Sequence, residues 1–451
     1  MMGRLDSGQE CFFYDFHLDD VVPTDHLVRK IDAVLDLSWL HAELDPYYSH
    51  TGRPSIDPEL MMRMLIIGYV FAIRSERQLC SEVQVNLAYR WFCRLGLEDT
   101  IPDHSVFSRA RHERFSEADA FRLVFEKVVE ACIAQGLIGG TSFSVDASLI
   151  KADVNQVKRV AGDAPIDWPD GEQATRAVAE YLSTLDRNAP EQRKAISLTD
   201  PQATWVAKRK MRPFFAYDAN YLIDNKLGVI VDAEGSRANR VEENRVAVAM
   251  VKRVEERFNL KPKRLAADTA YGTSQTLKSL MDRGIEPHIP VWDKSKRKDG
   301  TFSRADFSYD TQRNVYTCPR GKILKTTGKV YSGNTLIYRA STYKCVPCPL
   351  KFKCCPNTPA RKIPRNINES VRDHVRALAN TKALDQSRRE RNKVEMAFAH
   401  LKRILKLDRL RLRGLSGAKH EVLLAATAQN LRKLARYAAQ PPPVSKVHCL
   451  A

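Results

Sequence analysis

The sequence predicts an α/β unit in which a mixed sheet is flanked by helices, preceded by an all-α N-terminal domain and interrupted by a small cysteine-rich insertion. Three observations carry that prediction. From Asp25 to about Ala134, apolar residues recur three and four apart, as in Leu27, Ile31, Leu35 and again in Leu60, Met64, Ile67, the spacing that lines one face of a helix. After Gly139-Gly140 the pattern changes to short apolar runs mixed with helical stretches, which is how α/β folds read. Five of the ten cysteines fall between Cys318 and Cys355.

Composition permits this architecture and excludes others. With 451 residues, 43 % of them hydrophobic, the chain can bury enough apolar surface to offset the entropy of ordering, which sets it apart from disordered polymers. Its longest apolar stretch, Met64 to Ile73, is about half a membrane-spanning helix, so no membrane partner is expected. Asp6, Glu10, Asp15, Asp19 and Asp20 stand where a signal peptide would be basic and then apolar, which predicts a cytoplasmic protein without a disulfide framework. Lys+Arg outnumber Asp+Glu by 72 to 54, a formal charge of +18, and such a balance favours a polyanionic partner, nucleic acid foremost. The charge is uneven: residues 1–60 hold 4 Lys/Arg against 12 Asp/Glu, whereas residues 387–451 hold 15 against 4.

The elements follow in order. Ser55-Ile56-Asp57-Pro58-Glu59 reads as a helix start, with a capping side chain and a proline in the first turn, and Ser116-Glu117-Ala118-Asp119 as another. Residues 101–111 open as a loop and continue as a helix displaying Arg109 and Arg111, either a helix-turn-helix reader of DNA or an ordinary surface helix. Ser142–Ala147 predicts a short strand ending near Asp146. Further strands are expected at Phe215–Ile223, Leu227–Asp232, Leu265–Ala267 and Pro287–Val291, and helices at Glu242–Phe258 and Ser274–Arg283. Residues 153–210 are polar and read as an insertion with helix around Gln173–Asp186. The chain therefore divides into a helical, DNA-binding domain at 1–138, a first catalytic part at 139–293, a basic cysteine-rich insertion at 294–385, a helical part at 386–440 and a tail at 441–451.

Two acids, Asp146 and Asp268, stand at or just past the ends of short strands, where open α/β sheets place functional groups. A third, Glu395, lies in a long helix with Arg391 four residues before it and Lys402 seven after, offsets that put all three on one face. Val394, Phe398, Leu401 and Leu405 lie beside that stripe. Three separated carboxylates beside cations are what two-metal phosphoryl transfer requires, because Mg²⁺ prefers carboxylate oxygens and water. Singly, the same acids read as a turn residue, a helix cap and part of a solvated face.

Ser144-Val145-Asp146-Ala147-Ser148, Ala267-Asp268-Thr269-Ala270-Tyr271-Gly272 and Arg391-x3-Glu395-x6-Lys402 resemble the three catalytic blocks of bacterial insertion-sequence DDE transposases. Gly52-Arg53-Pro54-Ser55-Ile56-Asp57-Pro58 followed by an apolar helix is similar to their helical N-terminal transposase domain. The resemblance implies a ribonuclease-H-like catalytic core, two Mg²⁺ ions (Mn²⁺ may substitute) held by Asp146, Asp268 and Glu395, and cleavage and joining of DNA at element ends. It implies as partners the element's terminal repeats and target DNA, with a homodimer or larger assembly on them. In that family a tyrosine usually stands three residues before the arginine of the last block; here the place holds Arg388.

The run from Lys402 to Arg413 alternates cations with leucines. Lys402, Arg403, Lys406, Arg409, Arg411 and Arg413, with Arg391, are the expected DNA contacts, since phosphate neutralisation supplies most of the affinity, while Leu405, Leu407, Leu410 and Leu412 pack inward. Lys294-Ser295-Lys296-Arg297-Lys298 reads as a solvated loop. Cys318, Cys345, Cys348 and Cys354 are the preferred set for a structural Zn²⁺, because Cys-x2-Cys with a proline turn is a usual zinc knuckle, although reduced thiols account for them equally. Cys11, Cys80, Cys93, Cys132 and Cys449 have no ligand spacing. His420-Glu421 reads as a surface pair, with no second histidine four residues on. Two rival functions stay open: a non-catalytic, zinc-containing DNA-binding relative, and a tyrosine recombinase built on His400, Arg403 and Tyr437.

Overall fold

Asp57 begins the helix Pro58–Val70 as a capping residue should: its carboxylate accepts from the Leu60 amide at 2.8 Å, and Pro58 takes a first-turn position that needs no backbone donor. The computed structural model describes residues 16–49, 51, 55–169, 173–185, 193–208, 211–291, 299–378 and 381–438. The expected loop 294–298, part of the 52–58 motif, Cys11, Cys449 and the tail lie outside them. Two compact units are built from interleaved chain segments: Met1–Gly139, Ala147–Asn239 and Lys393–Ala451 form the first, and Gly140–Asp146 with Arg240–Asn392 the second.

The first unit begins with helices through Ala120–Ala134. Arg63, 2 % exposed, is satisfied inside them by Asp32 at 2.6 Å, Glu59 at 2.8 Å and the Phe92 carbonyl at 3.0 Å, the condition for burying a charge. Strand β1 (Ser142–Lys151) enters this unit at Ala147. The polar stretch after it folds as a two-stranded ladder, β2 (Arg159–Ala161) with β3 (Ala195–Ser197), and the helix Arg176–Leu185. Next come β4 (Thr204–Val206), the fully buried β5 (Phe214–Asp224) and β6 (Ile230–Arg237). β5 pairs antiparallel with both β4 and β6 and has β1 beside it. The helix Gly414–Ala438, buried along most of its length, packs on β6 and on the helices Ala120–Ala134 and Pro58–Val70. Gly235 lets it approach, because a Cβ there would sit 2.9 Å from Lys419 backbone.

In the second unit, Ser142–Ser144 of β1 pair parallel with β7 (Arg264–Ala266), which pairs parallel with β8 (Glu286–His288). The helix Arg240–Phe258 and Ser274–Asp282 accompany them. A separate five-stranded antiparallel sheet follows: β9 (Ser308–Asp310), β10 (Val315–Thr317), β11 (Ile323–Tyr331), β12 (Thr335–Arg339) and β13 (Lys362–Asn366), in the order β13-β12-β11-β10-β9. Its core is Phe307, Tyr316, Leu324, Tyr338 and Ile363. Among the described residues no helix is long and apolar enough to cross a membrane.

Three expectations need correcting. β1 does not stop at Ala147 but runs to Lys151, so Asp146 is a mid-strand residue. The strand expected at Leu227–Asp232 begins only at Ile230, because residues 225–228 form the tight turn from β5, closed by the Gly228 amide on the Asp224 carbonyl at 3.0 Å. His420 and Glu421 are not on the surface: they are 7 % and 1 % exposed.

Candidate active site

Asp146 projects from β1 and Asp268 follows β7, its neighbour strand in the second unit. Asp268 also caps the short turn Thr269–Tyr271, accepting from the Ala270 amide at 2.7 Å, so the cap reading and the functional one describe the same residue. The two acids, 122 positions apart in sequence, act on a common pair that sequence reasoning missed, Glu243 and Tyr271. Burial pushes the Glu243 carboxyl up, and the charges of Asp268 and Asp146 push it further. The Tyr271 phenol is driven well above its ordinary range by burial, then by Glu243 and Asp146. Its side chain is completely buried, with the hydroxyl set against the Glu243 carboxylate. Asn244 fixes this arrangement, donating to the Ala270 carbonyl at 3.3 Å and accepting from Thr276 at 2.8 Å.

The helix Lys382–Arg403 is fastened along its second-unit part. Glu390 accepts from Arg264 at 3.0 Å and from Ser142 at 2.9 Å, and Ser387 meets His288 at 2.7 Å. That seating brings Arg391 to 3.8 Å from Asp146. Glu395 follows one turn later on the same helix, exposed, in the part belonging to the first unit. There Val394, Phe398, Leu401 and Leu405 are buried, with Phe398 stacked on Tyr221 at 4.8 Å. Arg388, where the family has tyrosine, pairs with Asp385 of its own helix at 3.2 Å and is exposed.

The cations expected on DNA are partly occupied at home. The helix ends at Arg403 in a motif with Lys406 at φ 51° and the Leu407 amide bonded to the Leu401 carbonyl at 3.0 Å, a helix stop usually built on glycine. Lys402 does not point freely outward: its amine donates to the Leu149 carbonyl of β1 at 2.9 Å, and burial lowers its pKa. Arg409 and Arg413 pair with Asp153 at 2.9 and 3.1 Å. Arg403, Lys406 and Arg411 are exposed, while Leu405, Leu407 and Leu410 are buried and Leu412 half-buried. In the helix His104–His112, Arg109 is exposed but Arg111 is buried against Glu76 at 2.5 Å, which halves the basic surface a helix-turn-helix reader would display.

Among the described residues no three His, Cys, Asp or Glu side chains form a group able to hold a metal ion. For Mg²⁺ this is no obstacle, because that ion keeps several waters and is bound through one or two carboxylates plus substrate phosphates; the hard oxygens of Asp146 and Asp268, already repelling Glu243, fit it. A zinc set on Cys318, Cys345, Cys348 and Cys354 finds no support. Cys318 and Cys354 pack as small apolar groups against the core of the five-stranded sheet, and burial with neighbouring Cys355 pushes the Cys354 thiol up to about 12. Cys93 and Cys132 are buried thiols in the first unit. Among the described residues His400 is held by Gln429 at 3.0 Å and Tyr437 packs against Cys132, Leu137, Val229 and Leu434, which gives a tyrosine-recombinase site no support either.

Comparison with known proteins gives two family matches. Residues 16–113 match the family described as Transposase domain (DUF772), and residues 317–435 match the one described as Transposase DDE domain. The second span includes Arg391, Glu395, Lys402 and the basic run to Arg413; Asp146 and Asp268 precede it. A cryo-EM structure of the piggyBac transposase synaptic complex with hairpin DNA is similar with a TM-score of 0.31 and 10 % identity over 92 % of this chain and 80 % of that one, too slight a likeness to carry weight. No curated protein matches the chain.

Proposed function

The chain belongs to the DDE transposases, and from that premise we propose that it serves an insertion sequence, cutting DNA at the element's terminal repeats and joining the freed ends to target DNA. What supports the site assignment is that the charges of Asp146 and Asp268 both act on the buried Glu243–Tyr271 pair, with Arg391 3.8 Å from Asp146. Asp146 and Asp268, with Glu395 as the third acid, would hold Mg²⁺, which Mn²⁺ could replace. The chemistry such ions supply when bound is activation of the attacking oxygen and stabilisation of the leaving one in an in-line displacement at phosphorus. The protein's own part is positional. The paired strands β1 and β7 carry Asp146 and lead into Asp268, Arg391 balances the charge of Asp146, and Arg403, Lys406 and Arg411 offer exposed cations to phosphates.

The parallel set β1-β7-β8 and the antiparallel pair β5-β6, with β5 beside β1, are compatible with a ribonuclease-H-like core, and we read residues 139–293 and 386–440 as that core, with 1–138 as a DNA-binding helical domain and 294–385 as an insertion. A homodimer or larger assembly on DNA fits the need to bring two element ends together. The test is substitution of the aspartates: Asp146→Asn and Asp268→Asn should each abolish strand cleavage while leaving DNA affinity near the parental value, since the phosphate contacts lie elsewhere. Cleavage at the parental rate by either variant would overturn the assignment.

A further inference from the structure

The five-stranded sheet carries a charge pattern that folding alone does not explain. From 311 to 368 the chain has twelve Lys/Arg and no Asp or Glu. Two of these cations serve the fold: Arg361 donates to the Cys354 and Phe302 carbonyls, and Arg365 pairs with Asp373 and stacks over Tyr309 at 3.8 Å. Nine others, among them Lys325, Arg339, Lys344, Lys353 and Lys362, are exposed and make no ion pair among the described residues. Strand register sharpens the point. Lys325 lies directly opposite Arg339, and Arg339 directly opposite Lys362, so three adjacent strands present a row of like charges on the face away from the core residues Leu324, Tyr338 and Ile363. Like charges directly opposite one another destabilise a sheet.

The row runs into an aromatic knob. β12 ends at Arg339 and β13 begins at Lys362, and the connection between them carries two one-turn helices with Tyr343 92 % and Phe352 64 % exposed beside Lys344 and Lys353. Large aromatic rings left in water next to lysines, with no carboxylate among them, form the combination that binds unpaired nucleotides: cations follow the backbone and ring faces stack on bases.

We propose that this face is a DNA-binding surface, with Lys325, Arg339 and Lys362 neutralising backbone phosphates and Tyr343 and Phe352 stacking on unpaired bases at an opened or cleaved end. It rests on the reading of the chain as an enzyme acting on DNA, and adds a surface to the basic run at 402–413. The experiment uses the full chain and two labelled DNAs, a blunt duplex and the same duplex with a single-stranded overhang, titrated over a range of salt concentrations. Lys325→Ala/Arg339→Ala/Lys362→Ala should flatten the log–log salt dependence of affinity by roughly two to three units, with a melting temperature at or above the parental one, because the row repels itself. Tyr343→Ala/Phe352→Ala should weaken overhang binding by about tenfold or more and leave the blunt duplex within about twofold. An unchanged salt slope in the triple variant would overturn the surface, and equal overhang affinity in the aromatic variant would overturn the stacking. Failure of the parental protein to bind either DNA would instead overturn the reading on which the proposal rests.

Discussion

Replacing Glu421 with alanine should release the segment 404–413 from the helix Gly414–Ala438. Glu421 is 1 % exposed. One carboxylate oxygen accepts from the amides of Arg411 at 2.6 Å and Leu412 at 2.7 Å, and the other pairs with the buried Arg74. Arg74 in turn donates to the carbonyls of Lys406 at 3.1 Å and Arg409 at 2.6 Å. Removing the carboxylate leaves the guanidinium without its counter-charge and two amides without partners, and breaking one side of a buried pair costs about 3–5 kcal/mol. Water entering the adjoining cavity of about 210 Å³, lined by Arg74, Arg111, Arg411 and Glu421, keeps the loss within that range. Urea unfolding should register it as a lower midpoint for the first unit. The double substitution Arg74→Met/Glu421→Leu should recover most of the loss, because it removes both charges and fills their space with apolar atoms. A single variant that loses under about 1 kcal/mol, or a double variant no better than the single, would refute the reasoning.

His420 gives a pH prediction: burial, then Arg111, His112 and Arg176, pull its pKa to about 3 from 6.5, so its contribution to stability is complete above pH 6.5 and is lost as pH falls toward the folded value. Stability from urea unfolding should drop between pH 7 and pH 4.5, by up to about 1.4 kcal/mol per pH unit for each such group, and His420→Gln should flatten part of that slope, the rest belonging to His112, which burial pulls down to about 4; parallel slopes would count against it. Glu243→Gln should raise the melting temperature at pH 7.5, since burial and two carboxylates penalise the charged form, and the gain should shrink as pH falls and the parental glutamate takes up a proton; cleavage should fall at every pH. Lys402→Met should cost about 1 kcal/mol through the unpaired Leu149 carbonyl and change DNA affinity little. Intact stability with lost affinity would return Lys402 to the DNA-contacting set.

Local signals made part of this molecule legible in advance. Asp57-Pro58 announces its helix because capping and the missing proline donor act within four residues, and the apolar spacing of Val394, Phe398 and Leu401 finds its buried side. Asp146 and Asp268 stood out by their motifs. What the sequence concealed depends on long-range pairing. Glu243 looks like an ordinary acid in the first turn of a helix, and only the packing of that helix against the Asp268 turn gives it a role. His420-Glu421 looked solvated because its partner, Arg74, is 347 residues away. The run from Lys402 to Arg413 looked like one amphipathic stripe, whereas Lys406 in the left-handed region ends the helix and Asp153 claims Arg409 and Arg413. The cation row of β11, β12 and β13 appears only once strand register is known.

The central claim is metal-dependent DNA strand cleavage at element ends, and one measurement meets it directly. Purified protein is incubated with a labelled DNA carrying the element's own terminal repeats, with Mg²⁺ or with EDTA, and the strands are resolved under denaturing conditions. The account predicts a nick at the repeat boundary and joined products with Mg²⁺, neither with EDTA, and neither from Asp146→Asn or Asp268→Asn. Cleavage that persists in EDTA, or that survives both substitutions, would contradict it.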